Sequence, residues 1–128
     1  KLSDEAIRRE LAQCAELITS ATGGAPIRVM RPTYGAHNER VRRIANEMGY
    51  KIILWDVDTN DWRKRTTDQM VATILSSATD GSIILMHDRY ATTLETTAAV
   101  IDELGARGFT FVTVSEMLEQ PRVAPNRK

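Results

Sequence analysis

Patterns typical of helices and of strands alternate along the 128-residue chain, and this alternation constrains the fold more than any other feature of the sequence. Long segments with apolar residues at helical spacing are separated by short apolar runs. The connections between successive strand patterns are too long for hairpins, so the strands are predicted to run parallel, with helices covering the sheet. The predicted fold class is therefore α/β.

The predicted helices carry recognisable start and stop signals. Ser3 is a candidate N-cap of a first helix, which Gly23 and Gly24 are expected to end, and Asn38 is a candidate N-cap of a second helix. Residues 66–69 and 92–95 match the capping-box pattern, so a third and a fourth helix are predicted to begin there.

Short apolar runs predict strands at residues 27–31, 50–55, 82–87 and 109–114. A polar loop, residues 56–65, is expected to follow the second of them. So few strands cannot close a barrel. No linker divides the chain, so we expect one domain over residues 1–120 and a basic surface tail over residues 121–128.

The apolar spacing also predicts which helix positions are buried. In the fourth helix the apolar positions Leu94, Ala98, Ile101 and Leu104 are expected to share the core-facing side. Cys14 falls among the apolar positions of the first helix, so a buried, inert thiol is expected there.

Charge and hydropathy exclude two classes of partner. The 17 basic and 17 acidic side chains balance, and no basic cluster is interleaved with aromatic residues, so binding of nucleic acid is not expected. The longest apolar runs are far shorter than the roughly 20 residues that span a bilayer, so no membrane span is expected.

Polar residues follow three predicted strands at their carboxyl ends, where parallel α/β folds collect functional groups. Arg31 ends the first strand, His87 ends the third, and Asp58, Asp61 and Trp62 follow the second. A histidine beside a carboxylate is suited to proton transfer, and an arginine is suited to orienting a carboxylate. Each residue also has an ordinary structural explanation, as a surface ion pair, a turn residue or a core side chain.

Three motifs occur in this order: Arg-Pro-Thr-Tyr-Gly at 31–35, Asp-Thr-Asn-Asp-Trp at 58–62 and Leu-Met-His-Asp at 85–88. Together they resemble the polysaccharide deacetylases of carbohydrate esterase family four, which remove acetyl groups from chitin, peptidoglycan or acetylxylan. The resemblance extends to about Val114 and implies a partial catalytic domain, the C-terminal portion of a distorted (β/α) barrel. Thr33 stands where the family usually has a second proline, a minor departure.

The resemblance implies three catalytic residues. His87 would be the general acid that protonates the leaving group, Asp58 would tune His87, and Arg31 would orient the base aspartate of the family. Substrate would be bound by the backbone amide of Tyr34 at the developing oxyanion, by Trp62 as a wall of the site, by Leu85 at the acetyl methyl group, and by Asp61.

The resemblance also implies a divalent metal, zinc in the first place, whose ligands are not in this chain. The family's base aspartate and its Asp-His-His metal triad come from two motifs that do not occur here. Zinc typically requires three protein ligands and an open position, whereas this chain offers only His37 and His87 as imidazoles, with His37 expected to be a surface residue. A less favoured alternative site would use the loop aspartates, Asp56, Asp58, Asp61 and Asp88.

Three functional hypotheses remain. The favoured one is a secreted or cell-envelope deacetylase acting on an N-acetylglucosamine polymer or acetylxylan. The second is a binding module in which Trp62, Tyr34 and Arg31 hold a sugar polymer without chemistry, and the third is an α/β domain of unrelated function. Absent barrel strands would expose the flank of the sheet, so association with an N-terminal fragment or a second copy is expected.

Overall fold

The structure is a computed structural model that describes residues 2–119, and the predicted tail lies outside these residues. The chain divides into two compact units, Lys1–Leu54 and Trp55–Lys128. Each unit contains helices and one parallel pair of strands. The predicted α/β class is confirmed, while the prediction of one domain over residues 1–120 stays a prediction.

The first unit consists of helix α1 (Asp4–Ala21), strand β1 (Val29–Met30), helix α2 (Glu39–Glu47) and strand β2 (Lys51–Ile52). The strands are parallel, with Val29 opposite Lys51 and Met30 opposite Ile52. Helices α1 and α2 pack together, and Ile44 of α2 is fully buried.

Local signals predicted the ends of these two helices well. Ser3 caps α1 by accepting a hydrogen bond from the amide of Ala6 at 3.2 Å, and Asn38 caps α2 through the amide of Val41 at 3.0 Å. After α1 ends, Gly24 adopts φ 97° and donates its amide to the carbonyl of Thr19. Glycine adopts this left-handed conformation at no steric cost, which explains the stop signal.

The prediction for Cys14 was wrong, because its side chain is exposed. Helix α1 has no buried residue, so apolar spacing did not lead to burial on this helix. Ion pairs join it to α2 instead: Arg8 with Glu47, and Asp4 with both Arg40 and Arg43.

The second unit consists of strand β3 (Val57–Asp58), helix α3 (Thr67–Ser77), strand β4 (Ile84–Leu85), helix α4 (Ala91–Ala106) and helix α5 (Val114–Glu119). Strands β3 and β4 are parallel, with Val57 opposite Ile84 and Asp58 opposite Leu85. A buried cluster forms the core of this unit from Val57, Ile74, Val100 and Leu104.

One of the two predicted capping boxes is present. At the start of α3, the hydroxyl of Thr66 accepts from the amide of Gln69 at 3.3 Å, and the Gln69 side chain accepts from the amide of Thr66 at 3.1 Å. The box predicted at residues 92–95 is not formed, since α4 begins at Ala91 and its N-cap, Tyr90, makes no side-chain cap. The hydroxyl of Thr93 is used elsewhere, as described below.

The strand predictions need two corrections. Strand β3 lies inside residues 56–65, which were predicted to be loop. Residues 109–113 are not a strand, and α5 begins at Val114. A strand requires a neighbour to pair with, and within residues 2–119 this segment finds none.

The helices of the described residues were also compared with the length and hydropathy of a membrane span. None of those between residues 2 and 119 is long and apolar enough to cross a bilayer.

Candidate active site

A histidine and an aspartate meet at the carboxyl ends of β3 and β4. His87 follows β4 by two residues, and Asp61 opens a 3₁₀ turn, Asp61–Arg63, three residues after β3 ends. Because the two strands are parallel neighbours, both segments leave the same edge of the pair. Nδ1 of His87 lies 2.7 Å from Oδ1 of Asp61, and the His87 amide donates to Oδ2 at 2.6 Å.

The carboxylate of Asp61 is buried and fully hydrogen-bonded. The side chain is 1% exposed. Besides the His87 ring, Oδ1 accepts from the amide of Trp62 at 3.0 Å, and besides the His87 amide, Oδ2 accepts from the hydroxyl of Thr93 at 3.0 Å. Two donors on each oxygen match the accepting capacity of an ionised carboxylate. Asp61 is thus held as a fixed anion beneath the histidine.

The hydrogen bonds also determine how Asp61 titrates. Burial acts to raise the pKa of Asp61, but the hydrogen bonds from the ring and amide of His87 and from the Thr93 hydroxyl outweigh it. The pKa of Asp61 therefore lies below its ordinary value of 3.8.

The ring of His87 is held on one side and open on the other. A carboxylate only accepts hydrogen bonds, so Nδ1 carries the proton and Nε2 is the nitrogen left for a ligand. Within the described part of the chain no protein group is hydrogen-bonded to Nε2, and the side chain is 34% exposed. Such a ring can give or take a proton at Nε2.

The contact with His87 is made by Asp61 and not by Asp58, which corrects two predicted roles. Oδ1 of Asp58 instead accepts from the amide of Asn60 at 2.8 Å. Asn60 has a left-handed backbone, φ 51°, which turns the chain so that Asp61 returns to the end of β4. Asp61 was predicted to bind substrate, yet its burial leaves no carboxylate oxygen for one.

Two predicted substrate contacts differ in accessibility. Trp62 is 51% exposed, so it is not a core residue, and the guanidinium of Arg63 lies 4.5 Å from the centre of its ring. Leu85 is only 8% exposed, and its carbonyl accepts from the hydroxyl of Thr59 at 2.8 Å. Little of Leu85 is open to a ligand.

Two further predicted site residues belong to the first unit. Arg31 directly follows β1, is exposed, and makes no hydrogen bond or ion pair with another residue between 2 and 119. Tyr34 lies in the 3₁₀ turn Thr33–Gly35 with φ 58°, a strained conformation for an aromatic residue. The prediction that Arg31 and Tyr34 share one pocket with His87 stays a prediction.

His37, which was predicted to be a surface residue, is partly exposed. Its Nδ1 lies 2.9 Å from the carbonyl oxygen of Gly35, and the guanidinium of Arg42 lies 3.1 Å from its Nε2. Both ring nitrogens are therefore occupied by protein groups, and ligation of a metal would break one of these contacts.

The residues of this chain do not fit the divalent metal that the motifs imply. Within residues 2–119 no group of three or more His, Cys, Asp or Glu side chains is placed to hold a metal ion. Residues 120–128 contain none of these four residue types. The alternative site built from loop aspartates is not formed: Oδ2 of Asp56, for example, accepts from the amide of Ile83 at 2.8 Å.

Sequence reasoning missed Thr93 as a site residue. It was assigned to a capping box, whereas its hydroxyl reaches Asp61, 32 residues earlier in the chain. The pair Thr92-Thr93 is a weak signal, because only one of two adjacent threonines can cap a helix.

Comparisons with known proteins support the resemblance to the polysaccharide deacetylase family. The family described as Polysaccharide deacetylase matches residues 1–53. A peptidoglycan-N-acetylglucosamine deacetylase, PgdA of Listeria monocytogenes, is 37% identical over 117 residues, which cover 91% of this chain and 24% of that protein. The chain thus spans about a quarter of this relative's length.

Two solved structures are similar along nearly the whole chain. BA3943 of Bacillus anthracis, described as a pseudoenzyme of carbohydrate esterase family four, has a TM-score of 0.87 and 29% identity. The match covers 96% of this chain and 43% of that one. A family 4 carbohydrate esterase from Streptomyces lividans, in complex with acetate, has a TM-score of 0.83 and 31% identity, covering 98% and 64%.

Proposed function

Because the chain belongs to the polysaccharide deacetylases of carbohydrate esterase family four, and forms part of their domain, we propose that it provides the general acid for removing acetyl groups from a polysaccharide. The observation that carries the proposal is the pair of His87 and Asp61. A buried, fully bonded carboxylate orients the ring and leaves Nε2 open. The reaction class is hydrolysis of an acetyl amide or ester.

Hydrolysis of such a bond requires a proton at the departing nitrogen or oxygen. In the protonated ring, Nε2–H of His87 gives this proton while Nδ1–H stays bonded to Asp61. The charge of Asp61 stabilises the imidazolium before transfer and holds the neutral ring in the same orientation afterwards. Asp61 itself takes no proton in this step.

The first unit would contribute binding groups. Within residues 2–119 the amide of Tyr34 has no hydrogen-bond acceptor, which supports a role as donor to a developing oxyanion. The guanidinium of Arg31 has no partner among the same residues and would orient the base aspartate. The exposed ring of Trp62 would form a wall of the site.

The metal and the base would come from polypeptide other than this chain. The family generally uses a divalent metal, and we propose zinc, but the described residues offer no site for it. The proton transfer proposed at His87 does not require this chain to supply a metal ligand.

For substrate and location, the similarity to the Listeria deacetylase supports an N-acetylglucosamine polymer such as peptidoglycan, with acetylxylan as the alternative. We propose that the protein acts at the cell envelope or outside the cell, where a polymer of this kind would be its substrate. A carbohydrate-binding domain without catalysis is the second candidate, favoured by the half-exposed Trp62 and by the similarity to a pseudoenzyme.

Acetate release tests the proposal. We would replace the corresponding segment of the Streptomyces lividans esterase with this chain and assay the chimera on acetylated chitooligosaccharide and acetylxylan. His87→Gln is expected to lower the rate about 10²- to 10⁴-fold, and His37→Gln, the matched control, to leave it unchanged. An active chimera that tolerates His87→Gln would refute the acid role, and polymer binding without acetate release would favour the second candidate.

We also propose that the chain associates with further polypeptide, either another part of the domain or a second copy. Large apolar side chains are exposed in both units, including Leu17 at 73% and Leu94 at 75%. Light scattering on the purified chain checks this, and a monodisperse monomer would contradict it.

A further inference from the structure

Thr93 connects the histidine–aspartate pair to helix α4. It lies in the first turn of this helix and is 5% exposed. Its hydroxyl donates to Oδ2 of Asp61 at 3.0 Å, on the oxygen that does not face the His87 ring. Helix α4 has no side-chain N-cap, so the Thr93 hydroxyl serves the carboxylate and not the helix end.

The donors of Asp61 differ in origin. The other three come from the segments that carry the pair itself: the ring and amide of His87 and the amide of Trp62. Among the residues that the structure describes, only Thr93 reaches the carboxylate from an α-helix, and Val100 and Leu104 anchor that helix in the core of the second unit. A donor from an element anchored in the core restricts rotation of the carboxylate about its Cβ–Cγ bond more firmly than donors from the segments that carry the pair.

The other buried threonine on α4, Thr96, behaves differently. Its hydroxyl donates to the carbonyl of Thr92 at 2.7 Å, so it is satisfied within the helix, as threonine hydroxyls commonly are. Thr97 is only partly buried, and its hydroxyl donates to the carbonyl of Thr93 at 2.8 Å and lies 3.6 Å from the sulfur of Met86. The Thr93 hydroxyl leaves the helix, so its placement is not explained by local satisfaction.

We propose that Thr93 is a positioning residue of the acetyl-removing reaction: its hydroxyl fixes the plane of the Asp61 carboxylate and thereby holds the His87 ring with Nε2 available. This inference rests on the proposed function of His87. It assigns to Thr93 no contact with the substrate.

The test removes the hydroxyl at nearly constant volume. In Thr93→Val the carboxylate keeps three donors, and we expect the ratio of the Nδ1–H to the Nε2–H form of neutral His87 to fall about tenfold, measured by ¹⁵N NMR of the ring. The titration midpoint of Asp61, followed by ¹³C NMR, is expected to rise, because one group that stabilises the anion is lost. Thr93→Ser, which keeps the hydroxyl, should restore both values.

Thr96→Val is the matched control, since it removes an equally buried hydroxyl from the same helix. It should leave the His87 spectrum unchanged. An unchanged tautomer ratio in Thr93→Val, or an equal change in Thr96→Val, overturns the proposal. If Thr93→Val does not fold, Thr93→Ala replaces it, compared with Thr93→Ser.

The NMR measurement separates this inference from the proposed function. In the chimera, Thr93→Val should lower acetate release about tenfold. A tautomer shift together with an active chimera that tolerates His87→Gln would refute the acid role and leave the positioning contact standing. A normal tautomer ratio with a His87-dependent rate would refute the positioning contact alone.

Discussion

Asp61 accepts hydrogen bonds from four donors in the second unit, and an amide cannot replace it. Asparagine has one oxygen and one NH₂ group. The NH₂ group would replace one carboxylate oxygen, so the two donors that point at this oxygen would lose their acceptor. We expect Asp61→Asn to lower the free energy of unfolding by about 1–3 kcal/mol, measured by urea denaturation. Asp58→Asn keeps an oxygen for the amide of Asn60 and should cost less than about 0.5 kcal/mol. Equal losses would contradict the assignment of Asp61 as the buried partner.

The depressed pKa of Asp61 predicts a pH dependence. A carboxyl whose pKa is lower in the folded state stabilises the fold above its ordinary pKa of 3.8, and this contribution is lost as the pH falls through the folded value. The difference in free energy of unfolding between wild type and Asp61→Asn should therefore shrink as the pH is lowered from about 6 to below 3.8. Urea denaturation of both proteins across this range measures it.

Other depressed carboxyls do not obscure that comparison. The pKa values of Asp4, Glu47 and Glu116 are also lowered, mainly by hydrogen bonds to their carboxylates, but all three are present in both proteins. A difference that stays constant with pH would show that Asp61 is not the titrating group.

The sequence identified the residue types of the site, but it did not identify which aspartate is hydrogen-bonded to the histidine. Motif spacing singled out His87, Asp58 and Asp61, because residue type and position at strand ends are readable locally. Which aspartate meets the histidine depends on the left-handed conformation of Asn60, which residue type does not determine. Thr93 was missed because its partner lies 32 residues away.

At the scale of elements, the capping box of α3 is a signal that the structure confirms. Thr66→Ala removes the side-chain acceptor for the amide of Gln69 and should lower the free energy of unfolding by about 1 kcal/mol, while Thr66→Ser retains it. Urea denaturation of the two variants gives the comparison. Equal stability of Thr66→Ala and wild type would show that the cap contributes nothing.

The buried side of α4 is rotated from the one that apolar spacing predicted. Leu94 and Ile101 are 75% and 49% exposed, whereas Thr93, Thr96, Val100 and Leu104 are buried. Two of the four are threonines, which a hydropathy pattern does not count as core. The polar partners of these threonines, and not hydropathy, explain their burial.

This rotation can be tested with one chemical change at two positions. Leu104→Ala should lower the free energy of unfolding by about 2–5 kcal/mol, because it opens a cavity in the core. Leu94→Ala should change it by less than about 0.5 kcal/mol, because the side chain is exposed. The denaturation midpoints of the two variants measure this difference. A large loss of stability in Leu94→Ala would contradict the exposed position of Leu94 on α4.

For the whole molecule, the order of elements was easier to predict than their boundaries. Fold class depends on the alternation of helix and strand, and this survives the shift of β3 into the predicted loop and the loss of the strand at residues 109–114. Helix ends depend on capping interactions between residues only a few positions apart in the sequence. Strands require a partner distant in sequence, and none is formed for residues 109–113 within the described part of the chain.

Metal binding is the property in which this chain is expected to differ from the family, which generally uses a divalent metal. Residues 2–119 place no three ligands together, and residues 120–128 contain none. We therefore expect the purified chain, equilibrated with zinc and dialysed, to retain much less than one zinc, measured by elemental mass spectrometry. Retention of one zinc per chain that is lost in His37→Gln or His87→Gln would reveal a site using that imidazole. Near-zero metal would mean that the proposed acetate release depends on metal ligands from other polypeptide.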